Sequence, residues 1–346
     1  MKTFDDIFVD KTKDGVKVQT SEYGEQGVHI IIDQGQNQIA GYTNREDGLF
    51  EETPVVIFGD HTRVIKYVDE PFFLGADGVK VLRSKDENAN YKYLYYALKN
   101  AKIPNTGYNR HFKWLKEIQI NYPTYEKQAE IVDILDKISD IIVKRESELS
   151  ALDTLIKARF VEMFGDMKPT VTIERYIAEL RGGKSLAGTE ECKNKVLKTG
   201  AATFGWFDPE QYKYLPVDYE PLPEHKVEIG DVIISRMNTP ELVGACSYVF
   251  EAPEDMYYPD RLWKVIPQTE TNPIFLWQLL WDREIRRQIK EKSGGTSGTM
   301  HNISKPKLLD IKCIDAPIEL QNQFADFVQV VDKSKVVCAL ARFACA

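Results

Sequence analysis

The sequence predicts an α+β chain built as a tandem repeat: two globular domains, each followed by a long helix, with the helices pairing as an antiparallel coiled coil. Three observations lead there. Residues Glu126 to Gly165 read EKQAEIVDILDKISDIIVKRESELSALDTLIKARFVEMFG, with no proline, no internal glycine and an apolar residue every three or four positions. An order of strand-like runs, one helix, a polar loop and a short apolar run precedes that stretch and returns after it. Matching residues also keep a constant separation: Thr106 and Thr299, Asn109 and Asn302, Leu115 and Leu308, Ile118 and Ile311, and Gln128 and Gln321 are each 193 positions apart. The expected boundaries are 1–124 and 167–316 for the globular domains, 125–166 for the central helix and 317–346 for a second one.

In the first domain the runs VHIII (Val28 to Ile32), PVVIF (Pro54 to Phe58), RVIKYV (Arg63 to Val68) and GVKVL (Gly78 to Leu82) have the β-branched content of strands. NYKYLYYALKN, from Asn90 to Asn100, reads as a helix. The polar loop IPNTGYNRH and the run LKEIQI lead to Pro123.

For the long helix, Thr124 offers a cap, and Gly165 with Pro169 a stop. With Leu135 at heptad position a, the seam holds Leu135, Ile142, Leu149, Ile156 and Met163 at a and Ile138 and Leu152 at d. Arg145 and Arg159 are its breaks. At about 1.5 Å per residue the helix reaches roughly 60 Å, a length suited to a spacer. Burying those seven side chains is worth on the order of 10 to 20 kcal/mol gross, so the seam demands a partner helix. A core helix of one large domain is the alternative.

After the helix, KVLKT, DVIIS (Asp231 to Ser235), SYVF and RLWKVI supply strands; NPIFLWQLLWDREIRRQIK (Asn272 to Lys290) reads as one helix; SGGTSGTMHNIS is the loop and LLDIKCI the short run. Pro317 then opens IELQNQFADFVQVV, where Val328 and Val331 continue a seam. Further on, Lys335, Cys338 and Arg342 fall where Ile142, Arg145 and Leu149 stood, so this second helix reads as truncated or out of frame. A fully buried terminal helix is the other reading.

Composition is that of an ordinary soluble globular protein, 43% hydrophobic and 28% charged. No apolar run approaches a membrane span, and MKTFDDIFVD is too acidic for a signal peptide, so a cytoplasmic protein is expected. The five cysteines show no CxxC spacing. The net charge of −8 disfavours nucleic acid when taken alone, although an acidic protein can carry a basic face.

Catalytic motifs fail on inspection. RGGKS (Arg181 to Ser185) has Ala178 where a phosphate-binding loop needs its first glycine. NYPTY (Asn121 to Tyr125) is close to the base-gripping N-P-P-Y/F motif of amino-methyltransferases, but Tyr122 replaces the first proline and no G-x-G loop precedes it. PDRLWK at Pro259 lacks the downstream acid-x-Lys of a nuclease metal site, and the five histidines show no HxxxH or HxxEH spacing. No catalytic residue, metal site or cofactor is expected. What remains is a set of polar loops at matching places: FGDHTR (Phe58 to Arg63) with SRMNTPELVG (Ser235 to Gly244), and PNTGYNRH (Pro104 to His111) with SGGTSGTMHN (Ser293 to Asn302). Such loops offer donors to phosphates and base edges, as ordinary surface loops also do. Arg283, Arg286, Arg287, Lys290 and Lys292 add a basic helix face.

The two-copy layout, the apolar run followed by Pro123 or Pro317 and then Gln128 or Gln321 opening a helix, and the ending KARFVEMFG (Lys157 to Gly165) resemble the specificity subunits of type I restriction-modification systems over nearly the whole chain. The resemblance implies that each globular half is a target recognition domain for one half of a bipartite site in double-stranded DNA. It implies helices that act as a ruler for the unread spacer and dock two modification (methyltransferase) subunits, with restriction subunits joining through the complex. Methyl transfer and cleavage would belong to those partners, which use S-adenosylmethionine, ATP and magnesium. Arg63, Asn105, Tyr108, Arg110 and His111 are then expected at one half-site, and Lys184, Arg236, Asn238, Thr296, Ser297 and His301 at the other. The short second helix departs from the family's pattern and puts one modification-subunit site in doubt. An enzyme that itself modifies DNA and a coiled-coil scaffold for proteins stay open beside this reading.

Overall fold

The computed structural model describes residues 1–75, 77–297 and 299–343, without the side chains of residues 296–297 and 336–343. The chain divides into two compact units, Met1–Val143 and Lys144–Ala344.

In the first unit, the run Val55–Gly59 is buried at every position because its sheet is covered on both faces. Val56 and Phe58 pack with Leu82 against Tyr93, Leu94 and Leu98 of the helix Tyr91–Lys99, and Val132 of the central helix joins that core. Val55 and Ile57 face the other way, into a core with Ile30, Ile32, Phe72 and Leu74. The sheet order is Phe8–Asp10, Val79–Ser84, Val55–Gly59, Ile65–Val68, all antiparallel. A second sheet has the order Gly41–Thr43, His29–Ile32, Phe72–Leu74, its first pair antiparallel and its second parallel. Lys2–Thr3 pairs with Gln119–Ile120, bringing the start of the chain to the strand before the central helix.

The second unit repeats this plan. Its four-stranded sheet runs Ile177–Gly182, Leu262–Pro267, Val232–Ser235, Cys246–Tyr248, again antiparallel. Its three-stranded sheet, Tyr212–Tyr214, Lys195–Leu197, Met256–Tyr257, has the same antiparallel and parallel pairs, and Pro169–Thr172 pairs with Lys312–Ile314. The alternation also returns: Val232 and Ile234 enter the core with the helices, Ile233 the other. One sheet is extra, Met237–Asn238, Met300–Asn302, Gly294–Ser297. The single helix expected over Asn272 to Lys290 is two, Pro273–Leu280 and Arg283–Lys292. The Asp282 carboxylate caps the second by accepting from the Glu284 and Ile285 amides.

Both long helices open at equivalent positions, Tyr125–Phe164 after Thr124 and Ile318–Phe343 after Pro317. The glutamine one turn in explains the shared register. Gln128 is 2% exposed and its amide donates to the Pro123 carbonyl at 2.9 Å; Gln321 is 0% exposed and donates to the Ala316 carbonyl at 2.8 Å. Each buried side chain thus ties the helix to the residue five positions before it. Gln321 also accepts from the Asn272 amide at 2.9 Å, whereas Gln128 Oε1 has no hydrogen-bond partner among the described residues.

Of the seam positions, Leu135, Ile138, Ile142, Leu149, Leu152 and Met163 are half-buried and Ile156 is buried. In the second unit the deepest stripe runs Ile156, Phe160, Phe164, a four-residue spacing that leaves the heptad. Aromatic packing sets it: Phe160 and Phe164 lie 5.8 and 5.0 Å from the Phe275 ring and 5.4 and 5.9 Å from Phe324 of the terminal helix. Arg159, a break in the heptad, places its guanidinium 5.7 Å from the Phe327 ring, and Lys335 pairs with Asp153 at 2.5 Å. No helix among the described residues is long and apolar enough to cross a membrane.

Candidate nucleic-acid interface

In the first unit the candidate loops converge on Asp60, which follows the buried strand Val55–Gly59 and is 3% exposed. Its amide donates to the Gly78 carbonyl at 2.7 Å, and its carboxylate accepts from the Phe112 amide at 2.8 Å. Its carbonyl accepts from the His111 amide at 2.7 Å and meets His111 Nδ1 at 3.0 Å. Gln34 adds a second tie: it accepts from the His61 amide, donates to the Asp77 carbonyl, and its own carbonyl accepts from the Thr62 hydroxyl. Gly78 has φ +95°, a conformation L side chains rarely adopt, so the turn requires glycine, and a Cβ there would also push on the Gln34 amide 2.6 Å away.

These ties bring four of the expected residues together. Arg63, at φ 63°, is half-buried with its guanidinium donating to the Ile103 carbonyl at 3.3 Å, beside the loop that carries Asn105, Tyr108 and Arg110, all exposed. Asn105 accepts from the Gly107 amide at 3.2 Å. Tyr108 is 88% exposed and stacks on His61, ring centroids 4.9 Å apart and 11° from parallel, presenting a π face of the kind on which a base stacks. His111 corrects the expectation. It is 0% exposed; Nδ1 must carry a hydrogen to meet a carbonyl, which leaves Nε2, 3.3 Å from the Thr106 hydroxyl, to accept. With both nitrogens engaged beneath the loop, it supports the surface instead of forming it.

In the second unit the extra sheet performs the gathering. Asn238 stands opposite His301 in its register, and Arg236 exchanges backbone bonds with Arg261 at 3.1 Å and Ile303 at 3.0 Å. The Arg236 guanidinium lies 5.6 Å from the Trp263 ring. Lys184 is exposed, 5.9 Å from the Tyr219 ring, on a loop fixed by the Gly183 amide to Pro259 and by Ser185 to Asp260. Asn238 spends its side chain internally, donating to Thr203 and Ser235 at 3.4 Å and accepting from the Thr239 amide, so it shapes the loop. His301 is half-buried with Nδ1 3.1 Å from the Ser293 hydroxyl. The side chains of Thr296 and Ser297 lie outside the described residues.

Three of the five charges on the basic helix face are paired. Arg287 pairs with Glu284 and Glu291, Lys290 with Glu241 and Lys292 with Asp310, while Arg286 donates to the Glu241 carbonyl. Sequence reasoning missed His61, the other half of the Tyr108 stack, and Lys17, whose 2.6 Å hydrogen bond and positive charge hold the Asp77 carboxyl below the usual range. It also missed Arg261, exposed beside Arg236. His61 sits in a loop already singled out; Lys17 carries no local signal. Among the described residues no group of three or more His, Cys, Asp or Glu is placed to hold a metal ion.

The family described as "Type I restriction modification DNA specificity domain" matches residues 3–151. The chain is 24% identical to the EcoR124I/EcoR124II type I restriction enzyme specificity subunit of Escherichia coli, over 91% of this chain and 81% of that one. The crystal structure of the type I restriction-modification system S subunit from M. genitalium shares the fold, with a TM-score of 0.58 at 17% identity, covering 99% of this chain and 92% of that one. The repeated strand order carries the same fold into the second half, beyond the residues the family matches.

Proposed function

We propose that this chain, a type I restriction-modification specificity subunit by relationship, reads a bipartite site in double-stranded DNA with one half-site per unit. The observation that carries the reading is the duplication itself. Two units with the same sheet orders each end their central strand in a loop cluster bearing exposed donors, and each is followed by a helix opened by the same buried glutamine. Arg63, Asn105, Tyr108 and Arg110 with His61 serve one half-site; Lys184, Arg236 and His301 with Arg261 serve the other. Phosphate contacts from the Lys and Arg side chains position the protein, and the remaining donors and rings meet base edges.

The central and terminal helices form the spacer. Contacts between Asp153 and Lys335, Arg159 and Phe327, and Phe164 and Phe324 advance in opposite directions along the two helices, which supports an antiparallel pair. Two modification subunits dock along the helices and bring the methyl-transfer chemistry; restriction subunits join through that complex, and this chain does not catalyse. The test is selection from a randomised duplex library by the chain reconstituted with its modification subunits. Two short conserved blocks separated by a fixed unread gap are expected; one contiguous block, or none, refutes the reading.

A further inference from the structure

The second unit holds a cavity of about 540 Å3, a volume suited to a small molecule. Its walls are aromatic. Tyr248, Phe250 and Trp277 stand edge to face or tilted, with centroids 4.6 to 6.2 Å apart, and Trp281 completes that side. Phe204 and Trp206, 61% and 60% exposed, stack on each other at 5.7 Å and line it from the loop after Thr199–Ala202.

Charged groups ring these aromatics. Asp332 and Glu251 line the cavity, as do Lys157 and the ion pair of Lys335 with Asp153. Burial, opposed by Lys335 and reinforced by Glu251, holds the Asp332 carboxyl above its usual range. Ring faces carry negative potential, so an aromatic-walled cavity that also holds the Glu251 and Asp332 carboxyls favours a cation over a neutral molecule of the same shape. The same wall shows the preference: the Arg286 guanidinium already lies 5.2 Å from the Trp281 ring.

We propose that this cavity binds a small organic cation, an alkylated ammonium, with a lining that shares none of the residues assigned to the DNA-reading loops. Because three of the five tryptophans line the cavity, the full chain reports on its own ligand through intrinsic fluorescence. The probes are acetylcholine and its neutral isostere 3,3-dimethylbutyl acetate, titrated by fluorescence and by calorimetry. A saturable signal with the cation about 10-fold or more tighter than the isostere supports the site; equal affinity, or no signal from either, overturns it. Replacing the carboxylates with amides, Glu251→Gln with Asp332→Asn, lowers the cation's affinity to that of the isostere at an unchanged melting temperature. If affinity stays the same in that variant, the charge argument fails. Saturating duplex DNA leaves the titration unchanged; competition by DNA would assign Phe204 and Trp206 to the nucleic-acid surface and overturn the proposal, while leaving the reading of the loops intact.

Discussion

Gln128 and Gln321 occupy the same place in the repeat, yet their replacement by leucine has different consequences. Gln321→Leu removes the donor to the Ala316 carbonyl, on a residue 1% exposed, and the acceptor of the Asn272 amide. Leaving a buried carbonyl without a partner costs about 1 to 3 kcal/mol, and the second lost bond about 1 more, for roughly 2 to 4 kcal/mol. Gln128→Leu removes one bond, to the carbonyl of half-buried Pro123, which water can replace, for about 0.5 to 1.5 kcal/mol. For units of this size Gln321→Leu lowers the melting temperature by roughly 5 to 15 °C, and Gln128→Leu by less than about 5 °C. Thermal and urea unfolding followed by circular dichroism measure both. Equal losses, or a larger loss for Gln128→Leu, would refute the account of the helix starts.

Replacing Leu149 and Leu152 with glutamate uncouples the two half-sites while each unit keeps its own melting transition, because the change strikes half-buried helix positions; collapse of both transitions would make the helix a core element. Tyr108→Ala leaves stability within about 0.5 kcal/mol, the side chain being 88% exposed, and weakens DNA binding by the complex by about 1 to 3 kcal/mol. His111→Ala does the reverse first, costing about 1 to 3 kcal/mol in unfolding because Asp60 and Thr106 lose buried partners. Burial opposes it, but hydrogen bonds from Lys92 and Tyr96 hold the Asp136 carboxyl below the usual range. A depressed carboxylate contributes stability above its unfolded pKa, so the first unit loses stability as pH falls below about 4. Asp136→Asn flattens that acid limb in a pH series of urea midpoints; an unchanged limb would show the carboxylate to be uninvolved.

The repeat and the core strands were legible because their signals are local and doubled: Val55 to Phe58 and Val232 to Ile234 are short apolar runs, and Gln128 and Gln321 share one spacing. The split at Asp282 was hidden because residues 274–280 are buried all round, so no period marks the end of the first segment. The extra sheet was missed because Met237–Asn238 is two residues long and takes its definition from a partner some sixty positions away. In the candidate site, composition picked out the loops but not the direction of each side chain. His111 and Tyr108 lie in one loop, and only the buried Asp60, a tertiary partner, decides that the first turns in and the second out.

The central claim is that two reading surfaces are held at a set separation. Its most direct test is the affinity of the reconstituted complex for duplexes carrying both selected half-sites, with the gap between them varied one base pair at a time. The account predicts a sharp optimum at one gap, with a loss of at least about 10-fold for a change of one or two base pairs, flattened by glutamate at Leu149 and Leu152. Affinity independent of the gap in the unaltered protein would contradict it.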